Sequence, residues 1–152
     1  MKMINLISPK RLMKLLSFWP PYLFAGISIV EVNDDFTKIV VQMKQRPWNT
    51  NYVGSHFGGS LYSMCDPFYM FILLHHLPGH TIWDKGASFK FKKPGVGVMR
   101  ASFEISHQSV EQIKEDASKN YSISPIFRTA VVDKKGDTVL ELEKTLYVKK
   151  RA

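Results

Sequence analysis

The sequence predicts an α+β domain in which an antiparallel sheet wraps round one long central helix. Three observations carry this. First, Asn51 to Leu77 reads as a polar loop, a Gly-Gly pair and a helix. In that helix Leu61, Met64, Cys65, Phe68, Phe71, Ile72 and Leu73 spread round the wheel rather than forming one stripe. A helix apolar on most faces is buried on several sides. The stretch also holds Asp66, Pro67, His75 and His76, and it is too short and too polar at its start to span a bilayer. Second, several segments alternate apolar and polar residues with a period of two, the mark of half-buried strands. Third, the order is helix, two strands, long helix, then four strands with a small helix among them. Without repeats or linkers, that order is an α+β plan.

The elements follow in chain order. Ser8 caps a first helix with Pro9 in its opening turn. Leu12, Leu15, Leu16 and Trp19 fall on one face of it, with Lys10, Arg11 and Lys14 elsewhere. Pro20-Pro21 ends that helix. Ile27 to Val32 suits a strand, and Asn33-Asp34-Asp35 is a turn cluster. In Lys38 to Lys44, Ile39, Val41 and Met43 alternate with Val40 and Gln42, so the pair reads as a hairpin. Gln45 to Phe57 is a loop. The central helix stops near Pro78-Gly79. Ile82 to Lys92 is a strand with Phe89 and Phe91 inward and Ser88, Lys90 and Lys92 outward. Pro94 to Gly97 turns into a strand from Met99 to Ser106. Gln108 to Asn120 is a weak, exposed helix with Val110, Ile113 and Ala117 in register. Ile126 to Asp133 and Val139 to Lys149 are the last strands. Lys144 sits among the inward residues Leu140, Leu142, Leu146 and Val148, a charge that the pattern leaves unexplained.

Length and composition bound the function. At 152 residues one domain is expected, with 1–21 as an N-terminal helix and 22–150 as the core. The net charge of +8 attracts polyanions such as anionic lipid or a phosphate-bearing small molecule. There is no zinc-finger spacing, RNA-binding aromatic signature or long basic run, so nucleic acid is not expected. One cysteine, Cys65, excludes an internal disulfide and fits a reducing, cytoplasmic setting. The N-terminus interleaves basic and apolar residues and lacks the apolar run of a signal peptide. A helix docked on the body is the expectation there, with membrane-surface binding as the alternative. No integral membrane segment is expected. His75, His76 and His80 invite a metal reading, but Pro78-Gly79 divides His76 from His80, and no metal or cofactor is expected.

This order and these residues resemble the hotdog fold of acyl-CoA thioesterases, in particular a bacterial branch known as a domain of unknown function. The resemblance rests on Trp19–Tyr22 (WPPY), Asn51–Met70 (NYVGSHFGGSLYSMCDPFYM), Trp83–Gly95 (WDKGASFKFKKPG) and Lys144–Lys150 (KTLYVKK). It implies an Asn in the loop, glycines at the helix start and an acid beyond them, matched by Asn51, Gly58 with Gly59, and Asp66. Phe57 stands where many relatives place His, and His56 is one residue early. Relatives also use a Ser or Thr on the following strand across a dimer interface, and Asp84, Lys85 and Ser88 lie there. A homodimer or dimer of dimers follows from the resemblance, and from a single sheet layer needing a partner.

Thioester hydrolysis needs an activated water or nucleophile, a stabilised oxyanion and a grip on the thiol carrier. Backbone N–H groups at a helix start are unpaired and carry positive character, so the Gly58 amide is the expected oxyanion donor, with Gly59 beside it. Asp66, in an apolar helix, would have a raised pKa and act as base or nucleophile. Asn51 would orient water or the carbonyl. Lys90, Lys92 and Lys93 would attract the phosphates of coenzyme A, and His56, Phe57 and Tyr62 would line the site. Each has a plain structural alternative. The glycines would permit tight packing, Asp66 would cap a second helical segment, Asn51 would shape its loop, and the lysines would form a solvated face.

The function expected is thus hydrolysis of an acyl-CoA or acyl-carrier thioester with an apolar acyl or aryl group. The alternative is a hotdog protein that binds such ligands without cleaving them, which Phe57 favours. A dehydratase is a third option, and the missing His counts against it. Fold alone does not choose among them.

Overall fold

Among the described residues six strands form one antiparallel sheet, in the spatial order Ile27–Val32 (β1), Lys38–Lys44 (β2), Val98–Glu104 (β4), Ile126–Val132 (β5), Thr138–Lys150 (β6) and His80–Phe91 (β3). The computed structural model describes residues 8–151, so the expected N-terminal helix, 1–21, begins outside the described residues, and residue 152 lies beyond them. β1 (Ile27–Val32) and β2 (Lys38–Lys44) make the predicted hairpin. Asn33 closes it by accepting the Lys38 amide at 2.8 Å. β4 (Val98–Glu104) pairs with β2, and β5 (Ile126–Val132) joins β4 to β6 (Thr138–Lys150). β3 (His80–Phe91) pairs with β6 and forms the far edge.

The central helix runs in two segments, α3 (Gly58–Ser63) and α4 (Phe68–His76). Met64 to Pro67 join them, and Pro67 stands at the N-cap of α4, where its missing N–H costs no helical bond. Leu61, Met64, Cys65, Phe68, Ile72 and Leu73 are all buried, as an all-round apolar helix requires. Phe68 packs on Phe103 of β4 with ring centroids 5.1 Å apart, and Tyr69 stacks on Phe127 of β5 at 4.8 Å. Ile39, Val41, Met43, Met99 and Leu140 complete the core from the sheet. This is the hotdog arrangement, a sheet curled round a helix.

The N-terminal region departs from expectation. α1 (Pro9–Leu15) is capped by Ser8, whose hydroxyl accepts the Arg11 amide, but Met13 is its buried anchor. Leu12 and Leu16 are only partly buried, and Leu15 and Trp19 are half exposed. Pro20-Pro21 both ends the first helical stretch and opens another, α2 (Pro20–Ala25), since proline is at home in a first turn. Gly26 closes α2 with φ +75°, and a β-carbon there would stand 2.5 Å from the Lys44 carbonyl oxygen. α5 (His107–Lys119) is a full thirteen-residue helix rather than a weak one. Its Val110, Ile113 and Ala117 are buried, and Ser106 caps it.

β3 positions the site. A register shift between Asp84 and Gly86 inserts one extra residue and switches which side chains face inward. Ile82 and Asp84 point in before it, and Ala87, Phe89 and Phe91 after it, opposite the inward β6 residues Val148, Leu146, Lys144, Leu142 and Leu140. Phe89 and Phe91 therefore face α3 as predicted. Each remains 47% exposed, because no strand among the described residues lies beyond this edge.

Candidate active site

Gly58, Tyr62 and Asp66 recur every four residues, so they mark one flank of α3 and its exit. That flank faces β3, which runs the other way. Phe91 lies against Gly58, Phe89 stacks on Tyr62 with centroids 5.3 Å apart, and Asp84 comes to the same lysine, Lys144, as Asp66. Lys144 of β6 reaches into the same row.

A tightly bonded charged cluster stands at the Asp66 end. Lys144 is 2% exposed, and its Nζ contacts Asp66 Oδ1 at 2.5 Å, Tyr62 Oη at 3.1 Å and Asp84 Oδ2 at 3.3 Å. The first two are hydrogen bonds that the ammonium donates, and the third is an ion pair. Burial alone would make the lysine easier to deprotonate, but its bonds to Asp66 and Tyr62 outweigh that and push its pKa up to about 12. Asp66 is not the raised acid that the sequence predicts. Burial pushes it up, but hydrogen bonding from Asp84 and Lys144 prevails and holds it below the ordinary aspartate value. The raised carboxyl is Asp84, pushed up to about 7 by burial and by its hydrogen bond to Asp66. Nor does the Asp66 side chain cap α4, which has no side-chain cap. Its backbone carbonyl accepts the hydroxyl of Tyr22, which is buried under α2.

Asp66 also reaches solvent. Its side chain is 43% exposed in a cleft of about 230 Å³ walled by Trp19, Pro21, Tyr22, Tyr62 and Pro67. Trp19, Tyr22 and Pro67 are shared with an apolar cleft of about 500 Å³, lined further by Leu12, Leu15, Leu16, Phe18 and Phe71. The N-terminal helices thus supply most of the apolar wall next to the carboxylate.

The other expected site residues gather at the far end of α3. Asn51, His56, Gly58, Lys92 and Lys93 line a cleft of about 390 Å³ that does not include Asp66. The Asn51 side chain is fully used within its loop. Its Oδ1 accepts the Val53 and Ser55 amides, and its Nδ2 donates to Ser55 Oγ and the His56 carbonyl. The His56 ring is buried and turned toward the Gly95–Gly97 turn, with Nε2 2.8 Å from the Gly97 carbonyl. Phe57 precedes α3 with its ring over Gly59, where a β-carbon would stand 2.5 Å from Phe57 Cε1. Lys93 is tied to Asp133 at 2.7 Å and Asp137 at 2.8 Å, and Lys92 to Glu141 at 3.2 Å. Lys90 lies in a separate cleft on the outer face, with Ser88 and Arg128.

Of the three strand positions Asp84, Lys85 and Ser88, the structure brings Asp84 to Asp66. Lys85 instead donates to Ser124 Oγ at 3.1 Å. Cys65 is sealed in the core, its thiol 3.5 Å from the Leu61 carbonyl, and burial pushes its pKa up to about 12. His75 packs on Phe36, and His76 contacts the Phe36 carbonyl at 3.2 Å. Sequence reasoning missed Lys144 as a member of the site. The signal was present, since a lysine in an inward row of leucines needs a buried acid.

No helix among the described residues is long and apolar enough to cross a membrane. Residues 10–148 match the model of a family described as a domain of unknown function, DUF4442. No curated protein matches the chain. Among solved structures, a Pseudomonas aeruginosa protein of unknown function, called a probable thioesterase, superposes with a TM-score of 0.84 at 16% identity, over 94% of this chain and 97% of that one. A hypothetical thioesterase from Streptococcus pneumoniae, solved with coenzyme A, gives 0.61 at 20% identity over 91% and 99%. The PaaI protein of Escherichia coli, from a phenylacetic acid degradation operon, gives 0.62 at 17% identity over 95% of each chain. At these identities the likeness shows a shared fold.

Proposed function

The chain belongs to the DUF4442 family, and from that premise we propose that it is a thioester hydrolase in which Asp66 activates water. The observation that carries this is Asp66 itself. It is a carboxylate held ionised by a buried lysine, yet open to a cleft. Asp66 takes a proton from water, and the hydroxide attacks the thioester carbonyl. The C–S bond then breaks, and the thiolate takes the proton from Asp66.

The acyl group in this reading lies in the apolar cleft under Leu12, Leu15, Leu16 and Phe71, which shares its walls with the Asp66 cleft. The carrier is coenzyme A or a related acyl carrier, in keeping with the relative solved with coenzyme A. Lys90 and Lys92 would meet its phosphates. Lys92 is held only by an exposed ion pair, which a phosphate can displace at small cost. Free Cys65 suits a reducing cytoplasm.

Gly58 opens α3, Asp66 lies beyond its end, and the two line separate clefts. One carbonyl cannot touch both within a chain. A second copy removes the difficulty. If two β3 edges pair about a two-fold axis, they run antiparallel, and the Gly58–Tyr62–Asp66 row of one copy lies reversed against the other. The Gly58 amide then approaches the partner's Asp66. The half-exposed Phe89 and Phe91 on that edge fit a homodimer, alone or doubled. Asn51 and His56 serve this site indirectly, by fixing the loop that presents Gly58.

A second reading, ligand binding without cleavage, is favoured by one feature. Phe57 covers Gly59, at the position where the thioesterases that the sequence resembles often have His. Thiol release from short, medium, long and aryl acyl-CoAs, with Asp66→Asn beside the wild type, tests both. Turnover falling by about 10² or more in a folded variant supports hydrolysis. Binding of the esters with no turnover on any of them supports the second reading. Mixing Gly58→Val with Asp66→Asn chains tests the shared site, since a mixed dimer regains one intact site.

A further inference from the structure

We propose that Asp66 and Asp84, which flank the same Lys144 ammonium at 2.5 and 3.3 Å, hold a single proton between them, so that Asp84 is a positioning residue that keeps Asp66 ionised and aimed. The role of Asp84 rests on Asp66 as base, while the single proton follows from two carboxyls set on one buried ammonium, one of them with a buried oxygen that lacks a donor among the described residues.

The groups facing the pair come from four elements. Tyr62 is on α3, Asp84 on β3, Lys144 on β6 and Tyr22 on α2, with Cys65 adjacent in the chain. Lys144 is the one cation among them. Its Nζ donates to Asp66 Oδ1 and Tyr62 Oη and forms an ion pair with Asp84 Oδ2 at 3.3 Å. The Tyr22 hydroxyl is spent on the Asp66 backbone carbonyl. This leaves Asp84 Oδ1 closed off from solvent with no donor among the described residues. A buried carboxylate oxygen without a donor is costly, and two carboxylates in contact resist being ionised together. One proton between the pair removes both problems. It supplies the missing donor and makes the cluster neutral, with one carboxylate, one carboxylic acid and one ammonium.

The raised pKa of Asp84 and the lowered one of Asp66 agree in direction with this placement. Asp66 is also the more exposed of the two, at 43% against 22%, so the ionised carboxylate is the one that opens to the cleft. During turnover the Asp84 proton stays where it is. Asp66 alone takes the proton of water and returns it to the departing thiolate. When Asp84 ionises, the two carboxylates repel, Asp66 loses its donor and its aim, and turnover falls.

Two measurements test this. The first needs no substrate: carboxyl-carbon NMR of the full chain labelled at Asp, with Asp66→Asn and Asp84→Asn used for assignment. One carboxyl should stay protonated at pH 6 and titrate near neutrality, and that titration should vanish in Asp84→Asn. Two fully ionised carboxylates at pH 6 would overturn the proposal, whatever the protein hydrolyses. The second is the pH profile of kcat on whichever thioester is turned over. Asp84→Asn keeps a donor toward Asp66 but cannot ionise, so it should retain activity and lose the alkaline decline. Asp84→Ala should fall by about 10²-fold, the scale for a reacting group displaced by an ångström. Thermal unfolding confirms that both variants are folded. An Asp84→Asn enzyme as impaired as Asp84→Ala, or one with the wild-type alkaline limb, would also sink it.

Discussion

The Phe91 ring closes over Gly58 so tightly that a β-carbon added there would stand 3.0 Å from Phe91 Cζ. Phe91 is half exposed and can give way, so Gly58→Ala should cost about 1 kcal/mol or less in stability. Its effect should instead fall on activity, because the displaced ring moves over the helix start. A kcat loss with an unchanged melting temperature is the expected pair of results.

Phe57→His puts an imidazole where the phenyl ring now covers Gly59. Phe57 is exposed, so the change should leave folding intact. Turnover on acyl-CoA should rise, with a new dependence on pH near the ordinary histidine value of about 6.5. A flat response would mean that this position does not face the reacting carbonyl.

Lys144→Met should be among the most damaging single substitutions, because it strands Asp66 and Asp84 together without a cation. Removing one partner of a buried pair costs about 3–5 kcal/mol, and the lower end applies since Asp66 reaches solvent. Converting both acids to Asn in the Lys144→Met background should recover much of that loss. Urea unfolding of the single and triple variants measures it.

The two aspartates pull stability in opposite directions with pH. Asp66 is held below its unfolded value, so its contribution is present above about pH 4 and is lost as pH falls through the folded value. Asp84 is raised, so the folded protein keeps a proton that the unfolded chain has released. Stability should therefore decline from about pH 4 to about pH 7 on this account. Melting temperatures of wild type and Asp84→Asn across that range check it, and the variant should show a shallower decline.

Phe89→Lys places a charge on the open edge beside Tyr62. It should convert the proposed homodimer to monomer in sedimentation velocity and reduce turnover in parallel. A monomeric wild type would remove the basis for a shared site.

Much of the fold was legible in the sequence because local pattern and tertiary demand agreed. Ile39, Val41 and Met43 of β2 and the inward row of β6 alternate with their neighbours in sequence, and the structure buries them. The extra residue after Asp84 was not legible. A bulge changes the parity of a strand without a signal in composition, and it decides that Asp84, rather than Lys85 or Ser88, meets the site. The Asp66–Lys144 pair was hidden for another reason. Its members are 78 residues apart, and only the folded sheet brings them together. Lys144 was visible as an oddity but not as half of an ion pair. The break of the central helix at Pro67 entered only as the alternative to one continuous helix, and the fate of the Asp66 side chain depended on that distant lysine.

Cys65 has a practical consequence. The chain's single thiol lies in the core, with its pKa pushed up to about 12, and should ignore alkylating reagents while the protein is folded. Any cysteine introduced at the surface would then react alone. A nitroxide attached at Trp19 and another at Phe57 would make a ruler across the two ends of the α3 flank, read by electron resonance without first stripping the native sulfur.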